Sequence, residues 1–259
     1  MATKKTILFL GATGGVGLSA LRRSLAAGHT CIALCRTPAN LTAQLNTTTT
    51  SNSNTTTLPP NLHIITGNAH NPSDLHACLT HPSTAPSGGV DIIVSSIGAR
   101  PTLRGMSDAH VCEKGMEVLL GALRAVKEER VGGKVPRLVA VSSTGISEVA
   151  RDVPILLAGL YKVLLHTPHV DKKKMERLVV AAGGKGEVEW TLVRGSFYTS
   201  GSATEGLVRV GVEDPVKGVR EKEAVGYTIS REDVGKWMFE ECLDKEGREW
   251  VGKAAILTY

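Results

Sequence analysis

The chain has 259 residues, 42% of them apolar and 21% charged, with a net charge of +5. That is enough for one large domain or two small ones around a packed core, and it is not the composition of a disordered chain. Aromatic residues make up only 4% and the basic residues are scattered among acids, the densest run being Lys172-Lys173-Lys174. Both facts argue against a nucleic-acid surface. The five cysteines (Cys31, Cys35, Cys78, Cys112, Cys242) are odd in number and form no C-x-x-C pair, so no metal site or disulfide framework is expected and a reducing compartment fits best. Residues 1–5 lead directly into an apolar strand, and no apolar run is of membrane-spanning length. A cytoplasmic protein with no membrane partner is the expectation.

Taken in chain order, Ile7-Leu8-Phe9-Leu10 is a wholly apolar run, as suits a parallel strand buried on both faces. It ends in Gly11-Ala12-Thr13-Gly14-Gly15-Val16-Gly17, and a helical pattern follows through Leu18, Leu21, Leu25 and Ala26, closed by Gly28. Residues 31–35 read as a second strand, which completes a strand–glycine loop–helix–strand unit. Residues 46–60 are a polar, low-complexity insert of mostly Asn, Thr and Ser with nothing to bury, and a surface loop is expected. Further strands are expected at 63–65, 90–94 and 137–141, with a helix over 111–129, then a strand at 190–193. Residues 195–224 are rich in Gly and charge and lack a long periodic element. Ser230 caps a helix with Asp233 at the capping-box position, and residues 254–257 form a closing strand. Strands alternating with helices predict an α/β, doubly wound, Rossmann-type parallel sheet, with a small C-terminal substrate-side lobe from about residue 195, all in one domain.

Gly11, Gly14 and Gly17 form G-x-x-G-x-x-G between a buried strand and a helix. In that context glycines let backbone N–H groups approach a pyrophosphate at the positive end of the helix. The residue after the second strand then selects the dinucleotide. An acid there binds both ribose hydroxyls of NAD, whereas this chain has Cys35 and then Arg36, which can pair with a 2′-phosphate. NADP(H) is therefore expected over NAD(H).

The strings ILFLGATGGVG, LAAGHTCIALCRTPANL, TGNAHNPSDL and DIIVSSIGAR, followed by VAVSSTGIS, DKKKMERLV, WTLVRGSF and TISREDVGKW, resemble the atypical short-chain dehydrogenase/reductases with an NAD(P)H-binding domain, a group that includes relatives of biliverdin reductase B and fungal NmrA-like redox regulators. The resemblance covers nearly the whole chain outside the Asn/Thr insert. It implies that Gly11, Thr13, Gly14, Gly15, Val16 and Gly17 hold the phosphates, Arg36 takes the 2′-phosphate, and Asn68 and Ala69 edge the adenine. Ser96, Ile97 and Gly98 would lie beside the ribose, and Ser142, Ser143 and Thr144 near the nicotinamide. Two positions depart from the group's pattern: Asn68 stands where Asp is usual, its amide oxygen still able to accept from the adenine amine, and Gly195 follows Arg194 where Pro is usual.

Better-known members of the superfamily use Y-x-x-x-K, in which a lysine orients the ribose and a tyrosine handles the carbonyl proton. Tyr161 is followed four residues on by Leu165, and Pro168 stands four residues before Lys172, so the usual proton donor is missing. On the helix expected to start at Thr167 and Pro168, residues Met175, Leu178, Val179 and Ala182 share an apolar face, with Asp171 inside it, Lys172 on its flank and Lys173 opposite. A charge on a buried stripe needs a partner, and a bound cofactor is one for Lys172. Lys172, Ser142, Ser143, Tyr198 and His169 are the catalytic candidates, with His166 and water as other proton sources. The expected function is NADPH-dependent reduction of a small carbonyl-bearing or conjugated organic molecule by a monomer or homodimer. A nonredox isomerase, cyclase or dehydratase on the same scaffold, and an NADP(H)-sensing regulator, stand beside it.

Overall fold

The computed structural model describes residues 3–46, 58–99, 108–129, 134–154, 166–204 and 207–259, and the backbone of 101, 102, 105 and 106. Strand β1 (Thr6–Leu10) has every residue buried. Ile7 and Phe9 face one core and Leu8 and Leu10 the other, which is why the run carries no polar alternation. It pairs in parallel with β2 (Thr30–Cys35), which pairs in parallel with β3 (Leu62–Thr66). On its other side β1 pairs with β4 (Ile92–Ser95). The short β5 (Pro101–Thr102) and β6 (Gly105–Met106) form a separate antiparallel pair. Beyond β4 the sheet continues in parallel through β7 (Arg137–Ser143), β8 (Glu189–Gly195) and β13 (Lys253–Thr258).

Between these last two strands in the chain, β9 (Phe197–Thr199) pairs in parallel with β12 (Thr228–Ser230) as a small second sheet. Residues expected to lack a long periodic element hold a hairpin, β10 (Arg209–Asp214) and β11 (Val219–Lys222), whose first strand adds antiparallel to β13. Its alternation is hard to read because the buried positions of β10 are Gly211, Glu213 and Asp214, not apolar residues. The nine strands of the main sheet run β11-β10-β13-β8-β7-β4-β1-β2-β3. This is a doubly wound α/β sheet whose order reverses between β1 and β4, where such sheets open a crevice at the strands' C-terminal ends.

Six helices flank it among the described residues: α1 (Gly15–Ala26), α2 (Pro38–Asn46), α3 (Pro72–Leu79), α4 (Val111–Glu129), α5 (His166–Gly184) and α6 (Arg231–Met238). α1 and α6 pack together against one face of the sheet, with Val16, Ala20, Val234 and Met238 in that core. α3, α4 and α5 cover the other face with Leu75, Met116, Leu119, Met175 and Val179. Helix α5 begins by His166, ahead of the expected Thr167 cap, so Pro168 is its third residue; a first-turn N–H has no intrahelical partner, and proline costs little there. The buried Asp171 has its partner in the backbone: its carboxylate accepts from the N–H groups of Cys112 (3.0 Å) and Glu113 (2.8 Å) and so caps α4. Most of the Asn/Thr insert, residues 47–57, and Tyr161 lie outside the described residues. No described helix is long and apolar enough to cross a membrane.

Candidate active site

The glycine loop stands at the reversal point. Gly11 has φ +90°, and a Cβ on it would lie 2.7 Å from the Ser96 carbonyl oxygen; a Cβ on Gly17 would lie 2.4 Å from Ser96 Oγ. β1, β4 and α1 can therefore meet only if both positions lack side chains. Ser96 closes the arrangement, its Oγ donating to the carbonyls of Leu10 (3.2 Å) and Gly11 (3.1 Å). Gly14 is the N-cap of α1, no side chain caps the first turn, and no acid lies in it. The turn's free N–H groups are thus a cradle suited to an anion.

Arg36 is exposed directly after β2, and no carboxylate among the described residues pairs with it. The Gly67 N–H donates to the Cys35 carbonyl (3.0 Å), which brings Asn68 and Ala69 beside Arg36 at the same edge. Asn68 Oδ1 accepts from the His70 N–H (3.1 Å). The oxygen expected to meet an adenine amine is therefore already engaged within its own turn. Thr13 is half-buried beside the loop.

A cleft of about 360 Å³ joins this cradle to the lysine helix; its walls include Gly14, Gly15, Val16, Ser96, Ile97, Gly98, Lys172, Tyr198 and Arg231. Lys172 Nζ lies 5.9 Å from the centre of the Tyr198 ring, and the Arg231 guanidinium 5.8 Å from it. Burial pushes the Lys172 ammonium below the ordinary lysine value. Lys173 turns away and pairs with Glu148 at 2.9 Å, and Lys174 pairs with Glu113 at 3.0 Å.

Two expected hydroxyls are not presented to the cleft. Ser142 Oγ is buried with no hydrogen-bond partner among the described residues, because alternation along β7 turns its neighbour, not itself, outward. The Tyr198 hydroxyl donates to the Ser142 carbonyl (2.7 Å) and accepts from the Gly195 N–H (3.1 Å), and burial holds its phenol above the usual tyrosine range. Gly195 explains this placement. A Cβ there would lie 2.5 Å from the tyrosine ring, and a proline would also remove the donated N–H. The departure from the group's proline is what admits the Tyr198 ring.

Ser143 Oγ donates to the Thr144 carbonyl (3.0 Å) and lies 3.4 Å from His169 Nε2. His169 and His166 face a second cavity of about 470 Å³, with Ser147 and Asp152. Burial, with the nearby Lys172 charge, lowers the His169 pKa to about 4, so this imidazole is neutral at pH 7. Asp152 is buried; its Oδ1 accepts from the Gly145 N–H (2.9 Å), its Oδ2 has no partner among the described residues, and burial raises its pKa.

An ion cluster that sequence reasoning missed is centred on Arg194. Arg194 donates to Glu176 through Nε (3.0 Å) and Nη2 (2.7 Å), and through Nη1 to Glu213 (2.6 Å), which also accepts from Arg220 and Ser147. It ties α5, and with it Lys172, to β8 and β10. Arg231 was missed as well; its one signal was its place beside the Ser230 cap. Among the described residues no group of His, Cys, Asp and Glu could hold a metal ion.

Residues 11–245 match the model of a family described as NAD(P)H-binding. The chain belongs to that family. It is 40% identical to "Reductase pytE" of Aspergillus terreus over 100% of this chain and 99% of the relative, and 37% identical to "Oxidase pynE" of Aspergillus niger over 99% of each. Among solved structures, a short-chain dehydrogenase/reductase of Veillonella parvula in complex with NADP is similar at TM-score 0.68 and 14% identity, covering 99% of this chain and 95% of that one. ChuY, an anaerobillin reductase from Escherichia coli O157:H7, is similar at TM-score 0.62 and 17% identity, covering 97% and 96%. The chain thus belongs to an NAD(P)H-binding family and shares the Rossmann-type fold of those structures.

Proposed function

We propose that the chain is an NADP(H)-dependent reductase of a small carbonyl-bearing or conjugated organic molecule. The observation that carries this reading is the continuity of the glycine cradle with the cleft containing Lys172, with Arg36, which no described carboxylate pairs, following the strand next to β1. The cradle fits a diphosphate because its first-turn donors lack any capping side chain or acid. Arg36 supports NADP(H) over NAD(H), since a guanidinium pairs with a 2′-phosphate where an acid would repel it.

A nicotinamide, when bound, would supply hydride. Lys172, the only lysine lining the same cleft among the described residues, would bond the nicotinamide ribose. Tyr198 acts through its ring as part of the wall and not through its phenol. Neutral His169, 3.4 Å from Ser143 Oγ, gives the Ser143 hydroxyl a route to exchange a proton with the second cavity, and water there can complete the transfer. The chain acts on a small molecule, in the cytoplasm, as a monomer or homodimer. The buried phenol also favours a second reading, in which the dinucleotide serves a reaction without net hydride transfer. The test is NADPH oxidation, followed at its nicotinamide absorbance, against a panel of quinones, enones and ketones. Substrate-dependent oxidation with a reduced product supports the first reading; product without net NADPH loss supports the second and rejects the first.

A further inference from the structure

We propose that Arg231 is the side-chain ligand of the dinucleotide's diphosphate, holding it against the first turn of α1 from the opposite helix. This rests on the reading that a dinucleotide occupies the glycine cradle. The stem of Arg231 lies flat on Gly15: a Cβ on that glycine would lie 2.7 Å from Arg231 Cδ and 3.0 Å from its Cβ. The missing side chain at position 15 therefore makes room for an arginine as well as for a ligand.

The base of this arginine is fixed. Ser19 Oγ donates to the Glu232 carbonyl (2.9 Å), and Gly235 packs so closely that a Cβ on it would lie 2.4 Å from the Ser19 side chain. Ser230 Oγ caps α6 by accepting from the Asp233 N–H (3.0 Å).

The acids next to Arg231 are committed elsewhere. Glu232 pairs with Arg23 at 2.6 Å, and Asp233 accepts from the Ser230 and Thr204 hydroxyls and from the Thr204 N–H. No carboxylate among the described residues pairs with Arg231, and its guanidinium (5.8 Å) and the Lys172 ammonium (5.9 Å) both approach the centre of the Tyr198 ring. A guanidinium left without an acid, beside uncapped helix N–H groups and in a cleft that a second cation also lines, is complementary to an anion. A diphosphate seated on the α1 turn is the anion whose place the stem of Arg231 adjoins.

Calorimetry on the full chain separates this role from that of Arg36. Arg231→Met should weaken NADPH and NADH by the same factor, about tenfold or more, because the diphosphate is common to both. The affinity for 2′-AMP, which has no diphosphate, should change less than about twofold. Arg36→Ala should weaken NADPH and 2′-AMP and spare NADH. Gly15→Ala, which displaces the arginine stem, should reproduce the Arg231→Met pattern, and Arg231→Lys should restore part of the loss. Unchanged NADPH affinity in Arg231→Met overturns the proposal, including the case in which only the KM of an anionic substrate rises. So does an equal loss of NADPH and 2′-AMP, which would mark a general effect on the fold. If Arg36→Ala is silent while Arg231→Met is selective, the 2′-phosphate assignment fails and the diphosphate ligand stands. If the parent protein binds none of the three nucleotides, both fail.

Discussion

The two halves of the site are held in different ways. The nucleotide half is built by exclusion of volume: Gly11 and Gly17 admit no Cβ beside Ser96, and the ligand-facing groups are backbone N–H donors and an exposed arginine. The half proposed for substrate is built by buried charge: Arg194 lies between Glu176 and Glu213, all three nearly inaccessible, with the buried Asp152 acting on it as well. The first kind of construction is local in the chain and tolerates surface change. The second joins residues far apart in sequence, and each of its members depends on the others.

The largest expected effect breaks the second half. Arg194→Met leaves two buried glutamates facing one another with only Arg220 to compensate, and should cost about 3–5 kcal/mol, read from urea unfolding. A loss below about 1 kcal/mol would mean that the cluster does not hold the substrate side together. Arg36→Ala acts on the first half alone. It should weaken NADPH by about 1.5–3 kcal/mol with melting unchanged.

Lys172 lies where the halves meet. Burial depresses its pKa, so the folded apoprotein is strained by this charge. Lys172→Met should raise the melting temperature by about 2 °C while lowering cofactor affinity or turnover, whereas Lys173→Met should not affect the cofactor. Parental NADPH titration and turnover in both variants would show that Lys172 is merely solvated.

His169 gives a pH signature. Its folded pKa of about 4 lies below the ordinary 6.5, so the unfolded chain binds the proton more readily. The stability it contributes is complete above pH 6.5 and is lost as pH falls through 4. His169→Gln should flatten the stability profile between these values. The smallest effect is expected for residues 46–57: a Gly/Ser linker in their place should leave melting and NADPH affinity nearly unchanged.

The same contrast explains what could be read from the chain. β1, α1, β2, α4, β7, β8 and β13 were legible because runs such as Ile7-Leu8-Phe9-Leu10 and the period of α4 state their own burial. The hairpin β10–β11 was not: its residues 209–222 are largely exposed or charged, and only pairing with β13 orders them. Helix α2 was missed because Leu41 is its one buried apolar residue. In the candidate site, the positions of the glycine loop and of Lys172 along the cleft were legible from spacing. The withdrawal of the Ser142 and Tyr198 hydroxyls was not, since it follows from contacts across β7, β8 and Gly195. The clue was Gly195 itself, the departure from proline that makes room for the ring. Asp171 was visible as a misplaced charge, but its partner, the N-terminus of α4, is about sixty residues away in sequence.

The central claim is that this cleft binds a dinucleotide through its 2′-phosphate. Calorimetric titration of the unaltered protein with NADPH and with NADH, at one ionic strength, tests it most directly. The account predicts that NADPH binds at least about tenfold more tightly, the effect of one charge-assisted contact. Equal affinities, or tighter binding of NADH, would contradict it.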